Sequence, residues 1–461
     1  MKKKQLIDHM KKFSTFEWLT FIKKLENTTD EEFKKVIKKE FDLHSIKNAN
    51  WYILIIDLAL RMSKYKQNIV KFQDLPSYKD YTNFIQLYVN SEDSEQFSIN
   101  LNHSLALGLS KLTYEQLKLY APMYHGMGRL LILYTFIEDK IKNNFGLSPR
   151  QIVIFFMYNN GKHTIYQPFS LEVMCKNLQK IDNSFTCKKL QKFLDAFSLT
   201  IKEYRMKAKE MGITKNTIKS KRLIFTYPII SLENNHYFIP SIYILEEGLS
   251  YKIFETLDGL QRKSQVFRKD FGIDFENYIR QLTKTSHNEY FYECDFLIKD
   301  ETQRRAEFYL VKDDISIVIE AKLLHIDEDI ILYGSSQKLE WKFEKKIKDA
   351  LAQIESCFNE LNTKYHYGII VIHTHIPMLE SYLKSFKFTK KYEWIDNIII
   401  MSIVDYEVMV HNPFQKIVQY FQEKEEDSKQ VALYFEQTNQ YLLDNCNNLI
   451  DELVEENKED N

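Results

Sequence analysis

Apolar residues recur every three or four positions across much of residues 1–220, notably near 51–72, 112–140 and 187–211. That is the spacing of one buried helical face, so this stretch reads as mostly helical. Thr29-Asp30 before EEFKKVIKKEF has the form of a helix cap. Ser148-Pro149-Arg150-Gln151 has the form of a capping box with proline at the first helical position. From Tyr227 the pattern changes: YPIISL, then Asn234-Asn235, then HYFIPSI reads as a β-hairpin. A helix over 242–258 follows. DFGIDFENYIRQLT, from Asp270, then reads as an amphipathic helix entered through Gly272 and capped by Asp274.

Three extended segments come next: EYFYECDFLI (289–298), RRAEFYLV (304–311) and ISIVIEAK (315–322). Asp300-Glu301-Thr302-Gln303 and Lys312-Asp313-Asp314 separate them as hairpin turns would. A long helix over 337–361 precedes another apolar strand, KYHYGIIVIHTH, and NIIIMSIVDYEVMV (397–410) adds one or two more. The tail from Gln415 reads as two helices with a fraying acidic end at 451–461. The expected class is α+β, with four parts: a helical regulatory or recognition region at 1–220, a hairpin and connecting helix at 221–264, an α-β-β-β-α-β domain at 265–410, and a helical acidic tail at 411–461. Residues 220–461 are expected to fold alone.

Composition narrows the partners. With 63 basic against 64 acidic residues the chain is no polycation, so nucleic-acid binding needs a local basic face. The run Lys338, Lys342, Lys345, Lys346 and Lys348 offers one. Five cysteines without CxxC spacing read as reduced thiols of a cytosolic protein. MKKKQLIDHMKKF lacks the apolar core of a secretory signal, and RLLILYTFI falls short of the roughly 20 residues that span a bilayer. A soluble, cytoplasmic protein without membrane contact is expected. No phosphate-cradling glycine motif occurs.

One strand carries unexpected charges. ISIVIEAK ends in Glu320 and Lys322, two residues apart and therefore on one face. Other Glu-x-Lys tripeptides lie in helical or charged contexts, where such residues do not share a face. Glu307 precedes Glu320 by thirteen residues and falls opposite it in a hairpin turning near 312–314. Glu276, on the preceding helix, points at the strand ends. Two or three carboxylates and one lysine thus meet at one edge of the sheet. His373 and His375 share a face too, but a zinc site wants more ligands.

The α-β-β-β-α-β order, the acid on the second strand, Glu-x-Lys ending the third, FGIDFENYI before the sheet and Gln353 in LAQIESC together resemble the PD-(D/E)xK, restriction-endonuclease-like nuclease superfamily. The resemblance covers residues 265–410. It departs at the second-strand acid, usually Asp and here Glu307, with Asp295 or Asp313 as alternative ligands. It implies a Mg²⁺- or Mn²⁺-dependent endonuclease that hydrolyses phosphodiester bonds, DNA favoured over RNA, in microbial restriction or anti-phage defence. Glu307 and Glu320 would hold the metal, Lys322 would stabilise developing charge, Glu276 would be a further ligand or base, and Gln353 would orient the phosphate. The N-terminal region would recruit a protein partner or a second copy. The alternative is a non-catalytic nucleic-acid-binding or assembly protein with a decayed site.

Overall fold

The computed structural model describes residues 2–28, 32, 49–64, 75–92, 125–161, 167–211, 222–261, 266–297, 304–324, 336–373, 387–423, 435 and 439–459. The expected cap at Thr29-Asp30, the turn at 300–303 and His375 lie outside them. Among the described residues helices predominate, with one sheet of four strands and another of five, so the class is α+β. The chain forms two compact units. The first takes Met1–Ile99, Ile137–Leu260 and Cys446–Asn461; the second takes Asn100–Phe136 and Gln261–Asn445.

In the first unit, local chemistry sets the helix starts. Ser14 and Glu17 form a reciprocal capping box that opens helix Thr15–Glu26. Ser148 and Gln151 exchange hydrogen bonds of 3.1 Å each and open Pro149–Gly161, as the sequence leads one to expect. The hairpin is present too. Strands β3 (Ile229–Ser231) and β4 (His236–Phe238) pair antiparallel around Asn234 and Asn235, both at positive φ. Residues 187–211 are not one continuous helix, however. Cys187–Phe197 ends at the two-residue strand β2 (Ser198–Leu199), and a new capping box at Thr200 starts Ile201–Glu210. With β1 (Phe169–Ser170), these strands complete a sheet in the order β1-β4-β3-β2. Strands of two residues are too short to show alternation, which is why helical spacing concealed them.

The cysteine expectation fails for one pair. Cys175, on helix Leu171–Gln179, is disulfide-bonded to Cys187, with Cα atoms 5.4 Å apart. The turn between the two helices brings these residues together, and nothing in their spacing announces it. Cys294, Cys357 and Cys446 are buried thiols.

The second unit is built on a mixed sheet of β5 (Phe291–Glu293), β6 (Phe308–Lys312), β7 (Ile315–Lys322), β8 (Tyr365–Ile372) and β9 (Ile398–Ser402), in that spatial order. β5, β6 and β7 pair antiparallel; β7, β8 and β9 pair parallel. The long crossover from β7 to β8 contains helix Ser336–Glu360, because parallel neighbours need a return path. Its buried stripe, Phe343, Ile347, Ala350, Leu351, Ile354 and Cys357, follows helical spacing. It packs on Val318, Ile370, Ile372, Ile398 and Ile400 of the sheet. Gly368 admits this close approach: a Cβ there would stand 2.4 Å from Ile398 Cδ1 and 3.2 Å from Ile354 Cγ2.

Three details differ from the sequence reading. The helix before the sheet runs Val266–His287 straight through Gly272 and Asp274, so neither marks its start. Among the described residues of the first extended segment, only Phe291–Glu293 form a strand, flanked by 3₁₀ turns. Residues 397–410 hold one strand followed by helix Ile403–Val410, where Ser402 caps the turn by accepting from Asp405 N–H. This helix is buried on every side, and its unbroken apolar character is indistinguishable by pattern from a core strand. It also carries Glu407, which holds Arg129 in a two-pronged ion pair (2.6 and 2.7 Å) and accepts from the Tyr278 hydroxyl at 2.7 Å.

Candidate active site at the end of strand β7

The β6–β7 register fixes which side chains meet. Phe308 pairs with Ile319 and Lys312 with Ile315, so the turn is Asp313-Asp314, with Asp313 at φ 52°. One step beyond the last paired residues lies Glu307 opposite Glu320. The ladder to β5 also continues that far, since Glu307 C=O accepts from Cys294 N–H at 3.2 Å. Glu307, Val318, Glu320 and Lys322 therefore share one face of the sheet. Asp313 and Asp314 lie six residues along the hairpin from Glu307 and Glu320, about 20 Å away at roughly 3.4 Å per residue.

Glu320 is fully buried in the central strand. Its Oε1 accepts from the Lys322 ammonium, while its Oε2 is buried with no hydrogen-bond partner. Burial pushes its carboxyl up to about 8; Lys322 opposes this, and Glu307 and Glu276 add to it. Glu276, half-buried on helix Val266–His287, is pushed up to about 7 by burial and by Glu307, against Lys322, Arg280 and Lys346. Burial also raises Glu307, with Lys322 and Arg280 pulling the other way. Glu320 thus feels both other acids, Glu276 feels Glu307, and all three feel Lys322. Four of the five residues singled out from the sequence come together here.

Gln353 does something else. Its side-chain N–H donates to Arg305 C=O at 2.7 Å, bracing the chain that leads into Glu307. The alternative acids are committed elsewhere: Asp295 pairs with Arg305 at 2.6 Å, and Asp313 lies in the turn. His373 packs edge-on against Phe271 and Phe275, a core contact.

The structure adds one cation that the sequence reading missed, Arg280, and brings to the acids one that it had placed only in a basic run, Lys346. Arg280 stands 3.6 Å from Glu307 and 3.2 Å from Glu293, and Lys346, on helix Ser336–Glu360, acts electrostatically on Glu276. The four-residue step from Glu276 to Arg280 along one helix was the available signal for the first.

Among the described residues, no group of three or more His, Cys, Asp or Glu side chains is arranged to hold a metal ion. Mg²⁺, however, keeps several waters and binds through one or two carboxylates plus substrate phosphate oxygens. The unsatisfied Oε2 of Glu320, with Glu307 opposite it on the neighbouring strand, fits that smaller demand. Among the described residues, no helix is long and apolar enough to cross a membrane. No family model, no curated protein and no solved structure matches this chain.

Proposed function

We propose that the second unit is a Mg²⁺-dependent nuclease that hydrolyses phosphodiester bonds, with DNA as the favoured substrate. One observation carries this reading: Glu276, Glu307, Glu320 and Lys322 converge at one end of β7, with a carboxylate oxygen buried and unsatisfied. Burying an incompletely paired charge costs several kcal/mol, and a chain with no use for this cluster gains by an apolar replacement. The element order around it, helix, three antiparallel strands, helix and parallel strand, supports the same reading.

Glu320 Oε2 and Glu307 would hold the ion, which when bound supplies Lewis acidity toward a phosphoryl oxygen and toward water. Lys322 holds Glu320 in place through Oε1 and offers its remaining N–H donors to charge developing on the phosphate. Glu276, poised near neutrality, can accept a proton at its carboxylate. Arg280 and Lys346 limit the repulsion among the acids, and Lys346 extends a basic face toward the substrate backbone. Microbial restriction or anti-phage defence, in the cytoplasm, is the role that this reading suggests.

A second reading, a nucleic-acid-binding protein with a decayed site, draws on the cations already in place, Lys322 on Glu320 and Arg280 beside Glu307. Cleavage of a mixed panel of single- and double-stranded DNA and RNA, with Mg²⁺, Mn²⁺ or EDTA, separates the two. Metal-dependent cutting that Lys322→Ala abolishes supports the enzyme. Binding without cutting under every condition supports the second reading.

A further inference from the structure

Far along the chain from these acids, the first unit carries a partly open pocket of about 370 Å³. This volume lies within the roughly 300–1,000 Å³ range of small-molecule pockets. Its walls are of two kinds. Phe169, Met174, Ile239 and Ile242 are apolar, while Lys23, Glu26, Asn159 and Asn177 are polar.

The polar wall is incompletely satisfied. The Glu26 carboxyl takes hydrogen bonds from the Ser241 hydroxyl and from Ile242 N–H, at the start of helix Ile242–Gln261. Its Oε1 is nevertheless buried with no partner. Lys23 stands one helical turn earlier on Thr15–Glu26, its ammonium 5.2 Å from the centre of the Phe238 ring. Asn159 donates to Phe155 C=O at 2.7 Å and Asn177 to the Tyr158 hydroxyl at 2.8 Å. Both asparagines spend an N–H on the protein and keep a carbonyl oxygen as acceptor. Burial raises Glu26 to about 8 and lowers Lys23 to about 8, as expected of an acid and a base whose mutual attraction falls short of the cost of leaving water.

We infer that this pocket binds a free α-amino acid with a large apolar side chain. Its ammonium would meet Glu26 Oε1 and the asparagine carbonyls, its carboxylate would meet Lys23, and its side chain would lie against Phe169, Met174, Ile239 and Ile242. Spacing favours this class. Side chains one turn apart on a helix start about 5–6 Å from each other, a separation suited to the adjacent charges of a zwitterion. The phosphate and base edge of a nucleotide lie much further apart. Water alone would satisfy Oε1, but it would leave the apolar wall wet.

Titration calorimetry of the full chain with L-leucine, L-methionine and L-phenylalanine tests the assignment. Saturable binding of at least one is expected, weakened about tenfold or more in the N-acetyl and carboxamide forms of that amino acid, each of which removes one charge. Glu26→Gln and Lys23→Met should each weaken it similarly, and Met174→Trp, which fills the pocket, should abolish it. Should Glu26→Gln fail to fold by circular dichroism, the blocked ligands and the other two variants carry the same test. Absence of heat with all three amino acids at millimolar concentration would overturn the assignment. So would equal affinity for the blocked forms, unchanged binding in Met174→Trp, or binding of GMP in their place. None of these outcomes bears on the nuclease reading, which concerns the other unit.

Discussion

Lys322 reaches back two residues along its own strand to hydrogen-bond Oε1 of Glu320, and the other oxygen of that carboxylate has no partner. The two oxygens are therefore inequivalent, one held by the protein and one left for something else. On the nuclease reading, Lys322→Ala should lower cleavage by about 10²-fold or more, the scale of losing one preorganised donor. Nucleic-acid affinity by fluorescence anisotropy should stay within a few fold. A Lys322→Ala protein that cuts at the wild-type rate would remove Lys322 from the mechanism.

The raised carboxyls make a pH prediction with a definite sign. Glu320 and Glu276 hold their protons to about 8 and about 7 in the folded chain, against 4.5 in an unfolded one. Between about pH 5 and 8 the folded state therefore binds more protons, and these groups reduce stability as pH rises. Glu320→Gln should melt above the wild type at pH 8 by a few degrees, the scale of about 1 kcal/mol. The difference should shrink toward pH 5, and Mg²⁺ should raise the wild-type melting temperature more than the variant's. A difference that grows on acidification contradicts the assignment.

Gly368 offers a packing test away from the acids. Adding one methyl sets it against Ile398 and Ile354. Gly368→Ala should cost about 1–3 kcal/mol in chemical unfolding, the usual penalty for overpacking. Truncating Ile398 to Val in the same chain should recover part of it. Full stability in the single variant would mean that the helix Ser336–Glu360 seats less tightly than described.

From its sequence, a fragment of residues 220–461 is expected to fold alone. The pair Arg129–Glu407 argues the opposite. Without Arg129, Glu407 keeps only the Tyr278 hydroxyl and is left as a buried charge without a counter-ion, a loss of about 3–5 kcal/mol. Residues 221–461 should therefore give poor dispersion in amide NMR spectra, and a cooperative, wild-type-like melt would refute this.

The acid cluster was legible because a strand's two-residue period is rigid. Once the turn fell at Asp313-Asp314, Glu307, Glu320 and Lys322 had to share a face. The capping box at Ser148 and the hairpin at Asn234 were legible for the same reason, since each depends on residues close in sequence. What escaped depends on distant partners. Gln353 could be placed on its helix, but not on the Arg305 carbonyl. Helix Ile403–Val410, apolar all round, carries no period to read, and the bond between Cys175 and Cys187 needs a turn whose course no local pattern specifies.

Cys446, Leu449 and Leu453 are buried, and Glu452 pairs with Arg150 at 2.6 Å, so the first unit is closed by its third chain segment. That has a consequence for biosynthesis. The ribosome must translate residues 261–445 before this segment emerges, at roughly 5–20 residues per second a delay on the order of ten seconds or more. Throughout it, the nascent first unit presents an open apolar seam, the natural docking point for a chaperone and the natural starting point for aggregation. A stall within the intervening stretch would leave a chain whose earliest part is the most vulnerable.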